Sequence, residues 1–309
     1  MILNTGQRTD IPSFYSEWFF NRLKEGFVYV RNPYFPKIIK KFYLNKDVID
    51  LIVFCTKNPH KILENIKELD GFRQFWFVTI TPYGKDLEKN NINKKEVIED
   101  FKKLSIINGK ESVSVRYDPI ILTEKYNKDF HLKAFDKLLI LLEGYTNYVV
   151  ISFVDLYKGT TKRLPNIKSL TVEDKYWFVN QFSQISKRHN MYLNICGEDI
   201  IFEGENVLNG KCIDRKIIEE CLGNKITLVR PKTNTRPSCF CFLGNDIGQY
   251  DTCLNGCEYC YATSSFENAL KNYKNHDPKS PILVGHLEKD DIIKEAEQIS
   301  IIDRQINLF

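Results

Sequence analysis

VSVRYD (residues 113–118), DFHLKAFDKLLILLE (129–143) and YVVISFVD (148–155) read in succession as strand, helix and strand. The outer runs are rich in β-branched and aromatic residues, and the middle one places apolar residues at helical spacing. A strand that is apolar along most of its length needs cover on both faces, which parallel βαβ units supply. The same unit recurs in both directions. Strands are predicted at 1–4, FVYVRN (27–32), DLIVFCT (50–56), FWFVTIT (75–81), MYLNIC (191–196) and ITLVRP (226–231), and helices at 12–24, 60–69, 94–106, 171–188 and 213–222. The run KIIKKFYLN (37–45) adds a hairpin or an extra strand.

Seven or eight such units over about 230 residues predict a TIM-like (β/α) barrel, complete or nearly so, in a single domain over 1–309. An open doubly wound sheet is the alternative. No G-x-G-x-x-G follows a strand and no G-x-x-x-x-G-K-[ST] occurs, so the nucleotide fingerprints that favour the open sheet are missing. In a barrel, the polar residues that end each strand line one rim, where such enzymes build their sites. That rim carries Arg8 and Asp10, Thr56 and Lys57, Thr81 and Tyr83, Arg116 and Asp118, Ser152 and Asp155, Cys196 and Glu198, and Arg230. For any one of them taken alone, a cap or a solvated loop residue is the plainer reading, and only convergence in space would promote it.

The chain is long enough to bury a sizeable core, and Lys plus Arg exceed Asp plus Glu by only four, which names no charged partner. No apolar run approaches the roughly 18 residues that cross a bilayer, and the polar start MILNTGQRTDIP does not read as a signal peptide, so a cytoplasmic protein without membrane contact is expected. The nine cysteines are uneven: Cys239, Cys241, Cys253, Cys257 and Cys260 crowd into one loop, 232–263, ahead of a helix with the capping pair Ser264 and Glu267. An odd count, crowded rather than spread, points to metal ligation rather than a disulfide framework.

Within that loop, CLNGCEYC (253–260) has C-x3-C-x2-C spacing with an aromatic, Tyr259, before the last cysteine. Three close thiolates on a short loop suit one corner of a cubane. The motif resembles that of the radical S-adenosylmethionine (SAM) superfamily. The resemblance implies a [4Fe–4S] cluster on Cys253, Cys257 and Cys260, with its fourth iron open to chelation by SAM. A reductant such as flavodoxin or ferredoxin would then drive cleavage to a 5′-deoxyadenosyl radical. It further implies that Tyr259 packs beside the adenine, and the rim residues Arg8, Arg116, Asp118 and Glu198 are the other candidates for cofactor contact.

Members of that superfamily carry the motif after the first strand, whereas here it follows the last. A circular permutation of the cysteine-loop unit to the C-terminus reconciles the two, because in a closed barrel it leaves neighbours unchanged. CFCFLGNDIGQYDTCLNGCEYCYA (239–262), with GQRTDIP (6–12), is also similar to an uncharacterised bacterial family with a C-terminal radical-SAM-like cysteine cluster. That similarity implies no substrate.

The competing account is zinc. Cys239 and Cys241 with Cys257 and Cys260 approximate a zinc-ribbon pattern, which makes the chain a non-catalytic binding protein with a four-cysteine zinc site and leaves Cys253 unexplained. Under the cluster reading, Cys239 and Cys241 are spare, and with Cys196 and Cys212 they suggest a second [4Fe–4S] cluster, the alternatives being free thiols or zinc. Cys55 and Cys221 read as small buried hydrophobes, and no histidine adjoins the cysteines. The substrate is open: Arg8, Arg116 and Arg230 suit an anionic group and Tyr83 stacking. Nucleic acid is considered because spore photoproduct lyase is a distant look-alike and KNYKNHDPK (271–279) mixes basic and aromatic residues, although a solvated linker is the plainer reading.

Overall fold

The computed structural model describes residues 1–90, 92–210, 212–227, 239, 241–242 and 244–303. The N-terminal third runs β1 (Ile2–Asn4), α1 (Ile11–Phe14), α2 (Ser16–Glu25), β2 (Phe27–Arg31), β3 (Ile38–Tyr43), β4 (Leu51–Thr56), α3 (His60–Leu63) and β5 (Gln74–Thr79). Regular alternation follows with α4 (Lys94–Asn108), β6 (Val113–Ile120), α5 (Lys128–Leu142), β7 (Tyr148–Phe153), α6 (Lys158–Arg163), α7 (Val172–Arg188) and β8 (Tyr192–Ile195). The chain ends with β9 (Val207–Asn209), α8 (Arg215–Leu222), β10 (Asn245–Asp246), α9 (Phe266–Lys274) and β11 (Ile292–Glu295).

Eight strands make one parallel sheet in the order β10-β1-β4-β5-β6-β7-β8-β9. The outer face of β4 to β8 packs through Phe54, Trp76, Val115, Tyr117, Ile151 and Leu193 against helices α1 to α5 and α7. Phe54 stacks on Trp76 at 4.0 Å, and Phe135 of α5 stacks on Phe182 of α7 at 3.8 Å. The opposite face, carrying Ile2, Leu51, Val53, Phe75, Phe77, Tyr148 and Val150, is covered by Ile217, Ile218, Cys221 and Leu222 of α8. Period two along each strand thus divides the core into two layers.

Polar caps set the helix starts. Asn127, Thr171 and Asp214 accept backbone N–H bonds from Phe130, Asp174 and Ile217 at 2.9, 3.1 and 3.0 Å. The cap ahead of α9 is Ser265, one residue beyond the predicted Ser264, and it accepts from Asn268 N at 3.1 Å.

The fold expectation holds in its coarser form, and two strand assignments are corrected. Among the described residues β9 and β10 are edges with no pairing between them, so the fold is a large parallel sheet flanked by helices, and barrel closure is not seen. FVYVRN does not join that sheet. Its β2 pairs antiparallel with β3, and β11 adds parallel to β3 in a separate three-stranded sheet. The link between β2 and β3 is too short for the crossover that parallel neighbours require. The strand leading into the cysteine loop is β10, and not ITLVRP, in which Ile226 bridges Ile302 and positions from 228 onward, Arg230 included, lie outside the described residues.

Candidate functional site

The cysteine loop joins β10 to α9 and rests on segments that follow the carboxyl ends of β1, β4 and β5. Its backbone is bound to residues 87–90: Glu258 N donates to Leu87 O at 3.0 Å, Asn90 N to Asn255 O at 3.2 Å and Lys89 N to Gly256 O at 3.3 Å. Gly256 has φ +65°, which suits glycine, and a Cβ there would lie 3.1 Å from the Asn90 amide. On the other side Arg163, at the end of α6, donates to the carbonyls of Glu258 at 2.8 Å, Ser264 at 3.2 Å and Cys260. The loop is therefore held by its main chain, with Cys253, Cys257 and Cys260 half-buried.

Two buried carboxylates organise the floor. Asp10 accepts from Ser13 N (3.1 Å), Lys57 N (2.8 Å) and Asn255 Nδ2 (3.0 Å), and Asn255 Nδ2 also lies 3.4 Å from Cys253 Sγ. Burial pushes the Asp10 carboxyl up, while those hydrogen bonds pull the other way. Glu88 takes the Lys57 ammonium at 2.7 Å and the hydroxyls of Thr81 and Tyr259. Burial acts to raise its carboxyl, but Lys57 and the hydroxyls outweigh it and hold it below the ordinary range. Burial raises the Cys257 thiol to about 12 against the pull of Lys57, and it raises Cys253 well above its usual value beside Asp10 and the other two cysteines. A positive charge at the loop is what would turn these thiols into thiolates.

Among the described residues, Cys196, Cys212 and Cys241 bring three ligand atoms within 4.8 Å of one another. Cys212 and Cys241 Sγ lie 2.9 Å apart, and Cys239 meets Cys241 through its side chain. The near cysteine neighbours of Cys241 are thus Cys196, Cys212 and Cys239, which is not the ribbon pairing with Cys257 and Cys260. Cys55, expected as a buried hydrophobe, is half-buried on the α8 face beside Arg116.

The other predicted site residues are already engaged. Arg8 bonds Asp246 through Nε at 2.5 Å and the Asp246 carbonyl through Nη2 at 2.8 Å. Arg116 pairs with Asp118, which also takes the Ser152 hydroxyl, and Glu198 pairs with Lys175 at 2.6 Å. Tyr259 sits with its ring 5.6 Å from the Lys57 ammonium and 6.0 Å from the Tyr83 ring. Tyr83 is itself buried, donating to Pro119 O at 2.7 Å, and so is not free to stack on a substrate. In the stretch 271–279, Tyr273 packs on Tyr15 and the carbonyls of Pro278 and Lys279 accept from Asn21 and Arg22 of α2, so its backbone is anchored while the side chains of Lys271, Lys274 and Lys279 stay exposed.

Glu88, Asn255 and Arg163 went unread. Asn255 lies inside the motif and Glu88 shortly after a strand, but a lone carboxylate in a loop, or an arginine that ends a six-residue helix, carries no pattern.

A parallel α/β chain with a cysteine loop at the carboxyl rim defines the class. Residues 2–262 match the family described as a domain of unknown function, DUF1848, and the chain belongs to it. No curated protein and no solved structure matches.

Proposed function

We propose that this protein is a radical SAM-type iron–sulfur enzyme whose Cys253, Cys257 and Cys260 hold a [4Fe–4S] cluster. One observation carries the reading: three half-buried cysteines, in C-x3-C-x2-C spacing, on a backbone-clamped loop at the carboxyl rim. When bound, such a cluster supplies reductive cleavage of SAM at its cysteine-free iron. The donor set fits, because N–H groups already face the sulfurs: Asn255 Nδ2 toward Cys253 at 3.4 Å and Ala262 N toward Cys260 at 3.3 Å. Lys57 offsets thiolate charge next to Cys257, while Glu88 fixes both Lys57 and the Tyr259 hydroxyl. In this reading Tyr259 holds the last turn of the motif, and its packing on adenine is a second role.

The permuted barrel belongs to the same proposal. β10, the loop and α9 form a strand–loop–helix unit seated beside β1, which is where a first unit moved to the C-terminus would lie. The substrate class stays with the sequence, as a small anionic group or nucleic acid, with a flavodoxin- or ferredoxin-like reductant and a cytoplasmic setting. No helix among the described residues is long and apolar enough to cross a membrane.

Anaerobic reconstitution tests the proposal. The expected result is a four-iron cluster that is lost on Cys253→Ala, Cys257→Ala or Cys260→Ala, and release of 5′-deoxyadenosine from SAM by the dithionite-reduced protein. Zinc at the loop without sulfide, or an intact cluster that neither binds nor cleaves SAM, overturns it. The alternative is then a zinc-stabilised, non-catalytic protein, with the ion on the group of Cys196, Cys212 and Cys241 rather than on the ribbon set.

A further inference from the structure

We propose that Cys196, Cys212 and Cys241, with Cys239 as the fourth thiolate, bind one zinc ion that fastens the α8 side of the sheet to the chain entering β10. This centre is independent of the Cys253, Cys257 and Cys260 loop and uses none of its residues.

The spacing of the sulfurs selects a single ion. A tetrahedral ion with bonds of about 2.3 Å sets its thiolates about 3.8 Å apart, whereas a four-iron cluster, with each thiolate on a different iron, sets them roughly 6 Å apart. Cys196, Cys212 and Cys241 fall within 4.8 Å of one another, and the Cys212 and Cys241 sulfurs are 2.9 Å apart. From that starting separation of 2.9 Å, one ion moves the pair by about 1 Å and a cubane by roughly 3 Å. Cys212 and Cys241 are almost wholly buried in the α8 layer with Ile213, Ile217 and Ile218, and a close-packed layer resists the larger displacement more than the smaller one.

The surroundings suit a charged thiolate centre. Four thiolates around a divalent ion leave a net double negative charge, which a low-dielectric site tolerates only with donors and cations beside it. The Cys212 N–H donates to Cys241 Sγ at 3.0 Å. The Arg116 guanidinium interacts electrostatically with Cys196, Cys212 and Cys55, and its buried Nε has no partner. Asn194, two residues before Cys196 on the same strand face, is fully buried with neither amide atom hydrogen-bonded. Its register aligns it with Arg116 across Val150 of β7. Two unspent N–H donors on the wall that also carries Cys196 are the acceptor-seeking groups a metal-bound thiolate satisfies.

The ligands come from three places: the end of β8, the turn between β9 and α8, and the stretch before β10. Joining them closes a long excursion of chain, so the ion contributes folding free energy and no chemistry.

The test is metal analysis and X-ray absorption at the zinc edge on protein purified without iron reconstitution. The expected result is about one zinc per chain in all-sulfur coordination at about 2.3 Å. The zinc is retained in the Cys253→Ala, Cys257→Ala, Cys260→Ala triple variant, and Cys239→Ser replaces one sulfur neighbour with oxygen. A triple variant holding iron and sulfide in a second cluster overturns the proposal, and so does zinc-free protein with Cys212 and Cys241 joined as a disulfide. If the triple variant does not fold, Cys212→Ser decides in its place: its sulfur belongs to this centre and not to the ribbon set, so the zinc edge should show one sulfur neighbour replaced or the zinc lost, and an unchanged four-sulfur spectrum overturns the proposal. Loss of loop iron and sulfide would count against the radical SAM reading alone.

Discussion

His131 is fully buried, its Nδ1 2.7 Å from the Tyr117 hydroxyl and its Nε2 3.0 Å from Ile121 O. Burial, opposed by the Ile121 carbonyl, lowers its pKa to about 4. An unfolded chain takes up that proton near pH 6.5, and the folded one does not until about pH 4. His131 therefore leaves stability untouched above neutrality and removes about 3 kcal/mol as pH falls through that window. Urea unfolding of the His131→Gln variant should show a lower but flatter stability between neutral pH and about pH 5; parallel curves for the two proteins would contradict the lowered pKa. Legibility at this scale follows chemistry. Cysteines announce themselves by rarity and spacing, and Asp10 by its place after a strand, but Glu88 matters through burial and partners contributed by distant segments, and neither quantity is written in a local pattern.

The cysteine loop is an element without regular structure, so its shape depends on what grips it. Arg163 spans three of its carbonyls with one planar fork, and Thr160, a residue of the same helix, reaches Tyr259 O at 3.4 Å. Charge-assisted bonds of this kind contribute about 1.5–3 kcal/mol each when buried and less at a partly exposed site. Arg163→Ala should speed loss of loop-bound iron to a chelator by on the order of tenfold with little change in global unfolding. Arg163→Lys should not restore retention, since an ammonium cannot serve three divergent acceptors. Equal chelator kinetics in all three proteins would remove α6 from the site. The long periodic elements, α4, α5 and α7 with β4 to β8, were legible because burial on a fixed face imposes period 3.6 or period 2 over many residues. β9 and β10, at three and two residues, are too short to show a period, and that is why the strand ahead of the cysteine loop was misplaced.

At the scale of the whole molecule, the C-terminal segment returns to the N-terminal one along its length. β10 lies on β1, Tyr15 of the α1–α2 turn donates to Thr252 O at 2.7 Å, Trp18 to Ser280 O at 2.9 Å, and β11 extends the β2–β3 hairpin. Adjacency of the β10 to β11 segment and the β1 to β3 segment is a property of topology that no local pattern encodes, and closure of a sheet is equally non-local. The seam is narrow, because β10 offers only two register pairs, and the Arg8–Asp246 ion pair reinforces it from a largely buried position. Removing one partner of such a pair leaves the other charge uncompensated, at a cost of about 3–5 kcal/mol. That loss should fall on the seam rather than on the sheet as a whole. In Arg8→Ala, the Ile247 amide, which donates to Asn4 O at 3.0 Å, should exchange with solvent on the order of 100- to 1,000-fold faster. Amides of β6, four strands into the sheet from β10, should keep their protection. Hydrogen exchange resolved along the chain separates the two outcomes. Uniform acceleration across β6 and β10 would mean that the cysteine unit and the sheet open as one cooperative body, and the seam would then carry no local stability of its own.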